Sequence, residues 1–196
     1  MLRPSPLTEW SQDSRMPAVA GDAFVDPAAV LIGDVRIESR VIVCPGAVLR
    51  ADEGSPIIIR RDTNVQDGVI MHALLNSFIE VGPSCCIAHG AILHGPCVIG
   101  EGSFVGFRAT ILSSRLGRGC FIGHGALVLN VDLPRGAFVP PGMTVATPGD
   151  VEHLPQAGES QQAFTAEVLR VNRELRRGYL ALEEESLKPH AVRENG

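Results

Sequence analysis

The sequence contains no apolar run that approaches the ~20 residues needed to cross a bilayer. It has no basic cluster and a formal net charge of −5, which argues against nucleic acid and anionic membranes as partners. The first residues lack the apolar core of a secretory signal, so we expect no such signal. Only 5% of the residues are aromatic, whereas 21 are glycine and 14 are proline. This composition suits a slender fold with many tight corners.

Cysteine spacing excludes the common cysteine motifs. The number of cysteines is odd: they are Cys44, Cys85, Cys86, Cys97 and Cys120. They form neither a zinc knuckle nor a redox CxxC pair. Three of the five fall in a column of small residues, where a thiol fills space in a core. We therefore expect buried free thiols and a cytoplasmic protein.

Aliphatic residues recur every six positions. The run without a slip is Val81, Ile87, Leu93, Ile99, Val105 and Ile111. A period of six fits neither an α-helix nor a flat strand, and it is typical of a β-helix built from hexapeptides. The repeat therefore predicts an all-β solenoid, a left-handed parallel β-helix. Three hexapeptides make one triangular turn, which gives about five turns over the regular part.

The chain divides where this period starts and stops. Residues 1–20 are polar and aperiodic, and we expect an N-terminal arm there, followed by the β-helix over 21–146. Residues 147–159 contain proline and glycine and predict a linker. Apolar residues spaced three or four apart predict an α-helix over 160–187 that packs back on the coil. Residues 188–196 form a polar tail.

Because equivalent positions of successive turns stack, the residue number predicts the face of the β-helix and the turn on which a side chain lies. Arg50, His72 and His94 each follow an inward residue, three hexapeptides apart once two four-residue loops are discounted. We therefore predict that they lie one above another on one face. Asp67 and His89 are related in the same way, on a different face.

Histidines on adjacent turns, about 5 Å apart, suit a shared metal ion. His89 lies around a corner and would complete that site only where faces of neighbouring subunits meet. Three imidazoles with an open position are typical of catalytic metal sites, and a three-sided prism favours a ring of three. The alternative is that each histidine is a solvated surface residue. We interpret His124 and His153, which we place off these columns, and His190 in the tail, as ordinary.

Several sequence runs carry a resemblance to a known family. They are RADEG at 50–54, NVQDG at 64–68, AHG at 88–90, HGP at 94–96 and VN at 171–172. With the repeat, they resemble the γ-class carbonic anhydrases from about residue 20 to 185. GFR at 106–108 and VPPGM at 139–143 look especially like the anhydrase-type domain of carboxysome scaffold proteins.

This resemblance implies an enzyme that hydrates CO2 reversibly to bicarbonate and a proton. The reaction would use a metal-bound hydroxide at the subunit interfaces of a homotrimer. His72, His89 and His94 match the metal ligands. Zinc is the usual metal of the family, and Fe2+ or Co2+ is also compatible.

The resemblance also implies a set of catalytic residues. They are Arg50, Asp52, Glu53, Asn64, Gln66, Asp67 and Asn172. Gln66 matches the residue that hydrogen-bonds the metal-bound water, and Asn172 matches one that helps to orient bicarbonate. Glu53 matches the carboxylate that takes the first proton.

Arg50 matches an arginine that ties subunits together near the metal, and Asp52 is in position to hold it. A simple interface ion pair is the alternative for these two residues. Asp67 is expected to support the structure or a metal ligand rather than to act as a catalyst.

One departure bears on turnover. Active members often carry a glutamate in a loop after the first metal histidine, whereas residues 73–78 contain no carboxylate. Slow proton export is therefore expected.

The main alternative is a weak or inactive trimeric scaffold of a carboxysome-related assembly. A third hypothesis is a hexapeptide acyltransferase, which shares the fold but uses one catalytic histidine and a longer loop.

Overall fold

The computed structural model describes residues 1–186, which form a left-handed parallel β-helix with a long C-terminal helix packed on it. Residues 187–196 lie outside the described residues. They include the last position of the predicted helix, the predicted tail and His190.

The described strands form three parallel sheets, one on each side of a triangular prism. Sheet 1 contains β1 (Leu2–Arg3), β4 (Val30–Gly33), β7 (Val48–Ala51), β10 (Ile70–His72), β13 (Ile92–His94), β16 (Thr110–Leu112), β19 (Leu127–Leu129) and β22 (Thr144–Val145). Sheet 2 contains β2 (Ala18–Val19), β5 (Val35–Ile37), β8 (Ile57–Ile59), β11 (Ile79–Val81), β14 (Cys97–Ile99), β17 (Arg115–Leu116) and β20 (Asp132–Leu133). Sheet 3 contains β3 (Phe24–Val25), β6 (Ile42–Val43), β9 (Asn64–Val65), β12 (Cys86–Ile87), β15 (Phe104–Val105), β18 (Phe121–Ile122) and β21 (Phe138–Val139).

The inward positions of the repeat form the core. On sheet 1 the fully buried column is Leu31, Leu49, Met71, Leu93, Ile111, Val128 and Val145. Side chains alternate between the two faces of a strand, so the residue on either side of each core position points outward. The predicted period of six therefore fixes both the core and the outward columns that bear polar groups.

The corner between sheet 3 and sheet 1 has a left-handed backbone in most turns. Gly68 and Gly90 have φ of 67° and 69°, and Arg108 occupies the equivalent corner with φ of 55°. Glycine takes this conformation without steric cost. This corner turns the chain from β12 towards β13 directly after His89.

The prism has about seven turns, more than the five expected. Two segments with a weak repeat account for the difference. Leu2–Arg3 and Ala18–Val19, within the predicted arm, pair with β4 and β5. At the other end, Asp132–Leu133, Phe138–Val139 and Thr144–Val145 continue the three sheets.

Two helices follow the coil. α1 spans Pro148–Glu152 inside the predicted linker, and α2 spans Glu159–Ser186. α2 lies against β3, β6 and β12 of sheet 3 and buries Leu169 there. Within residues 1–186, neither helix is long and apolar enough to cross a membrane.

Asp34 ties the N-terminal segment to the coil. Its carboxylate accepts hydrogen bonds from Arg36 at 2.8 Å and from Arg15 at 2.9 Å. The hydrogen bond from Arg36, followed by the one from Arg15, lowers the pKa of Asp34 below its usual range, although burial opposes the shift. A lowered pKa in the folded state stabilises the fold above the unfolded pKa, and this contribution disappears as pH falls through the folded pKa.

We therefore expect Asp34→Asn to lower the free energy of unfolding at pH 7 by about 1 kcal/mol, since both arginines are half exposed and screened. The deficit should persist down to about pH 5 and shrink below about pH 4. Denaturant unfolding across this pH range measures it. Asp132→Asn, at an exposed position of sheet 2, is the control and should show no such trend. An equal deficit at every pH would contradict the electrostatic account.

Candidate metal centre

His72 and His94 lie on successive turns of sheet 1. Strand pairing places His72 opposite Arg50 on one side and opposite His94 on the other, which confirms the predicted stack. The two imidazole centroids are 5.3 Å apart and the rings meet edge to face. Each ring stands outward because the residue before it, Met71 or Leu93, fills the core.

Two carboxylates converge on the His72 ring. A Glu53 oxygen lies 3.1 Å from His72 Nε2, without hydrogen-bond geometry, and an Asp52 oxygen lies 3.7 Å from it. The second Glu53 oxygen accepts a hydrogen bond from the Leu75 amide at 2.8 Å, in the short loop after His72. Asp52 also pairs with Arg50 at 3.2 Å, the pairing expected from the sequence. These carboxylates favour a cation beside His72.

His89 lies on the neighbouring face, at the corner that follows sheet 3. Its Nδ1 lies 2.9 Å from an Asp67 oxygen one turn away, and both side chains are about half exposed. A carboxylate on one imidazole nitrogen fixes the ring and leaves Nε2 available to a ligand. The split of the three histidines between two faces follows the prediction.

The interpretation of His124 as lying off these columns is wrong. β15 pairs with β18, so His124 stands above Phe107, which stands above His89. The Phe107 amide donates to His124 Nδ1 at 3.0 Å, and the two rings stack at 4.2 Å. One residue is deleted before Leu116, and counting by eighteen from Phe107 without this deletion misses His124. His153 instead lies at the C-cap of α1, as an exposed residue off the columns.

The predicted amide residues lie on the His89 side of the chain. Gln66 and Asn64 are buried on sheet 3, and Gln66 Nε2 donates to Asn64 Oδ1 at 3.0 Å. Asn172 faces them from α2, where it donates to its own helix at the Val168 carbonyl. Gln66, Asn172 and His89 line one cavity of about 390 Å³ between α2 and the coil.

The buried polar atoms without a hydrogen-bond partner concentrate in the predicted site. Within residues 1–186 they are Asp52 Oδ1, Gln66 Oε1, His72 Nε2, His94 Nδ1 and Arg176 Nε. All but the last belong to residues singled out from the sequence. Buried polar atoms normally find partners, so these groups are suited to a ligand.

All five cysteines are free, and four of them are buried, whereas Cys44 is only partly buried. Burial raises the pKa of the Cys44, Cys85 and Cys86 thiols to about 12. For Cys86 the sequence predicted only a buried free thiol. It accepts a hydrogen bond from Asn64 at 3.1 Å, and its position 22 residues after Asn64, the same separation as His72 and His94, was the available signal.

One chain therefore holds two separate half-sites. The histidine-pair half contains Arg50, Asp52, Glu53, His72 and His94. The single-histidine half contains Asn64, Gln66, Asp67, His89 and Asn172. Within the part of the chain that the structure describes, no group of three or more His, Cys, Asp or Glu side chains is placed to hold a metal ion.

Both half-sites are bordered by exposed apolar side chains. Ile70, Ile92 and Leu127 lie in an outward column on sheet 1, with Thr110 between the last two, and each of the three is more than a third exposed. Beside His89, Phe107 and Leu175 of α2 line the same cavity and are also exposed. Exposed apolar patches of this kind mark contact surfaces.

The comparisons with known proteins fall into two groups. The chain is 36% identical over 186 residues to the carboxysome assembly protein CcmM of Nostoc sp., and this alignment covers 90% of this chain and 34% of that protein. It is 32% identical over 199 residues to a carbonic anhydrase of Methanosarcina thermophila, which covers 91% of this chain and 81% of that protein. The chain thus spans about a third of the CcmM protein but most of the anhydrase. No protein-family profile matched.

Solved structures agree on the fold. A hexapeptide transferase family protein of Anaplasma phagocytophilum superposes with a TM-score of 0.76 at 24% identity, covering 91% of this chain and 97% of that one. A putative acetyltransferase of Bacillus cereus gives 0.72 at 23% identity, with coverages of 92% and 98%. The protein is therefore of the hexapeptide-repeat, left-handed β-helix class. Within that class, the chain belongs to the γ-class carbonic anhydrase family.

Proposed function

We propose that this protein is a carbonic anhydrase whose metal centres lie between the subunits of a homotrimer. The observation that carries the proposal is the division of the candidate residues into two complementary half-sites. One half supplies two imidazoles and two carboxylates, and the other supplies one imidazole and buried amides. Contact between unlike halves of neighbouring copies would complete a three-histidine site and would close into a ring.

The donor atoms fit a borderline metal such as Zn2+, Fe2+ or Co2+. His72 Nε2 and His94 Nδ1 are buried without hydrogen-bond partners, and Asp67 holds His89 so that its Nε2 is free. Such a metal lowers the pKa of a bound water towards about 7 and so supplies hydroxide at neutral pH. These three histidines would hold it.

Hydration joins the oxygen of water to the carbon of CO2 and releases one proton. Gln66 Oε1 is a buried acceptor without a partner and can orient the water. Glu53 can accept the proton, because its carboxylate borders His72 and remains 28% exposed to solvent. Asn172 lies across the cavity from Gln66, where it can orient bicarbonate.

A role in an assembly is the second candidate. It is supported by the CcmM relative, which is more similar in sequence than the anhydrase but much longer. The loop at residues 73–78 also supports it, because it offers no carboxylate to carry a proton onward from Glu53. An acyltransferase role has less support, since the transferase-type neighbours share less than 25% identity.

The direct test is CO2 hydration by anaerobically purified protein of known metal content. We expect activity that a chelator abolishes and that added imidazole raises several-fold, because a mobile base replaces the missing loop carboxylate. Stopped-flow measurement of the pH change follows both effects. Metal-replete protein with no hydration at any imidazole concentration would favour the assembly role.

Mixing two inactive variants tests whether the site is shared. His72→Ala and His89→Ala should each lose metal and activity. When the two are unfolded together and reassembled at equal amounts, about a quarter of the interfaces should regain all three histidines. Recovered metal and activity would reach that fraction of the wild type. As a control, mixing His72→Ala with His94→Ala should restore nothing, because both changes damage the same half. Equal recovery in both mixtures would contradict sharing.

Ile92→Glu tests the contact surface. A carboxylate in the apolar column beside His94 should prevent association, since a buried unpaired charge is costly. Sedimentation should then show monomers. These monomers should retain the circular dichroism spectrum of the β-helix and should bind metal weakly. Val98→Glu is the matched control, on the outward column of sheet 2 where Glu80 and Arg115 are its neighbours. Loss of association in Val98→Glu alone would place the interface on another face.

A further inference from the structure

Three buried polar side chains form a line from the cavity to the underside of α2. Gln66, Asn64 and Cys86 are 5%, 1% and 0% exposed. Gln66 Nε2 donates to Asn64 Oδ1 at 3.0 Å, and Asn64 Nδ2 donates to Cys86 Sγ at 3.1 Å. Strand pairing sets Asn64 directly opposite Cys86 on adjacent turns.

This line of hydrogen bonds ends at a backbone carbonyl oxygen, which can only accept a hydrogen bond. Cys86 Sγ lies 4.0 Å from the backbone carbonyl oxygen of Thr165 in α2. Burial raises the pKa of Cys86 to about 12, although the hydrogen bond from Asn64 opposes the shift, so the thiol keeps its hydrogen at neutral pH. The thiol can donate this hydrogen to the Thr165 carbonyl. The sulfur lone pairs are then left to accept from Asn64.

Each link therefore has a single direction. If the thiol donates to α2, Asn64 must present its nitrogen to sulfur and its oxygen to Gln66. Gln66 must in turn present its nitrogen to Asn64. The remaining atom is Gln66 Oε1, which is buried without a partner. A reversed amide at either position would instead bring an N–H donor into the cavity.

We propose that Cys86 is a positioning residue: its thiol, held between Asn64 and the Thr165 carbonyl, fixes the oxygen of Gln66 towards the site. The catalytic consequence rests on the proposed function, because an acceptor there orients the attacking water. The orientation itself belongs to the chain and does not depend on a reaction. Through Thr165, the contact of α2 with sheet 3 also helps to determine which atom of Gln66 faces the site.

Substitutions at Cys86 separate this role from simple packing. Cys86→Ala removes the acceptor and leaves Asn64 without a directional partner. Cys86→Ser restores a hydroxyl that can accept from Asn64 and donate to the Thr165 carbonyl. Cys85→Ala is the matched control, because Cys85 is an equally buried thiol of the same turn whose Sγ donates to backbone carbonyls of Pro83 and Gly100.

The first readout uses metal-free, full-length protein labelled with 15N at asparagine and glutamine side chains. We expect one protected set of Asn64 and Gln66 amide resonances in the wild type, Cys86→Ser and Cys85→Ala. Cys86→Ala should show two sets, or hydrogen exchange at least about tenfold faster at these amides. Unchanged amides in Cys86→Ala, or the same change in Cys86→Ser or Cys85→Ala, would overturn the proposal.

The second readout is the kcat of CO2 hydration after metal loading. Cys86→Ala should lower kcat about tenfold, as loss of a group that orients a ligand typically does, with recovery in Cys86→Ser. A normal kcat in Cys86→Ala would overturn the role in turnover. If the wild type hydrates no CO2, the proposed function fails, whereas the amide resonances of the metal-free protein still decide whether Cys86 sets the orientation.

Discussion

The parallel pairing of each turn with the next is the constraint on which the molecule depends. Backbone hydrogen bonds hold equivalent positions of successive turns opposite one another, as they do for Arg50, His72 and His94. The aliphatic column inside the prism sets which residue of each hexapeptide faces outward. The position of a residue within the hexapeptide repeat therefore determines where its side chain lies. Loops can vary in length only if the chain re-enters the β-helix in the same register.

This constraint explains why much of the fold could be predicted from the sequence. The β-helix and the stacks of His72 on His94 and of His89 on Asp67 follow from a period of six, and the C-terminal helix follows from apolar residues three or four apart. Other features do not. The terminal turns have too weak a repeat to be counted, and a single deletion before Leu116 concealed His124 above Phe107. The hydrogen bond from Asn64 to Cys86 depends on side-chain directions beneath α2, which periodicity does not specify.

The same constraint separates the candidate site into halves. Imidazoles and carboxylates gather on sheet 1, whereas His89 and the buried amides gather around the corner beneath α2. Neither half alone has the three histidines of a three-imidazole metal site. Because exposed apolar residues border both halves, association of copies would bury surface and bring the ligands together at once. Folding, assembly and metal binding are in this account linked steps.

The proposed metal ion binds between two copies of the chain. Anomalous X-ray diffraction from crystals of zinc-loaded protein would locate it. We expect one metal per interface, at about 2.1 Å from His72 and His94 of one subunit and from His89 of the next. Zinc held by residues of a single subunit, or no zinc within bonding distance of these histidines, would contradict it.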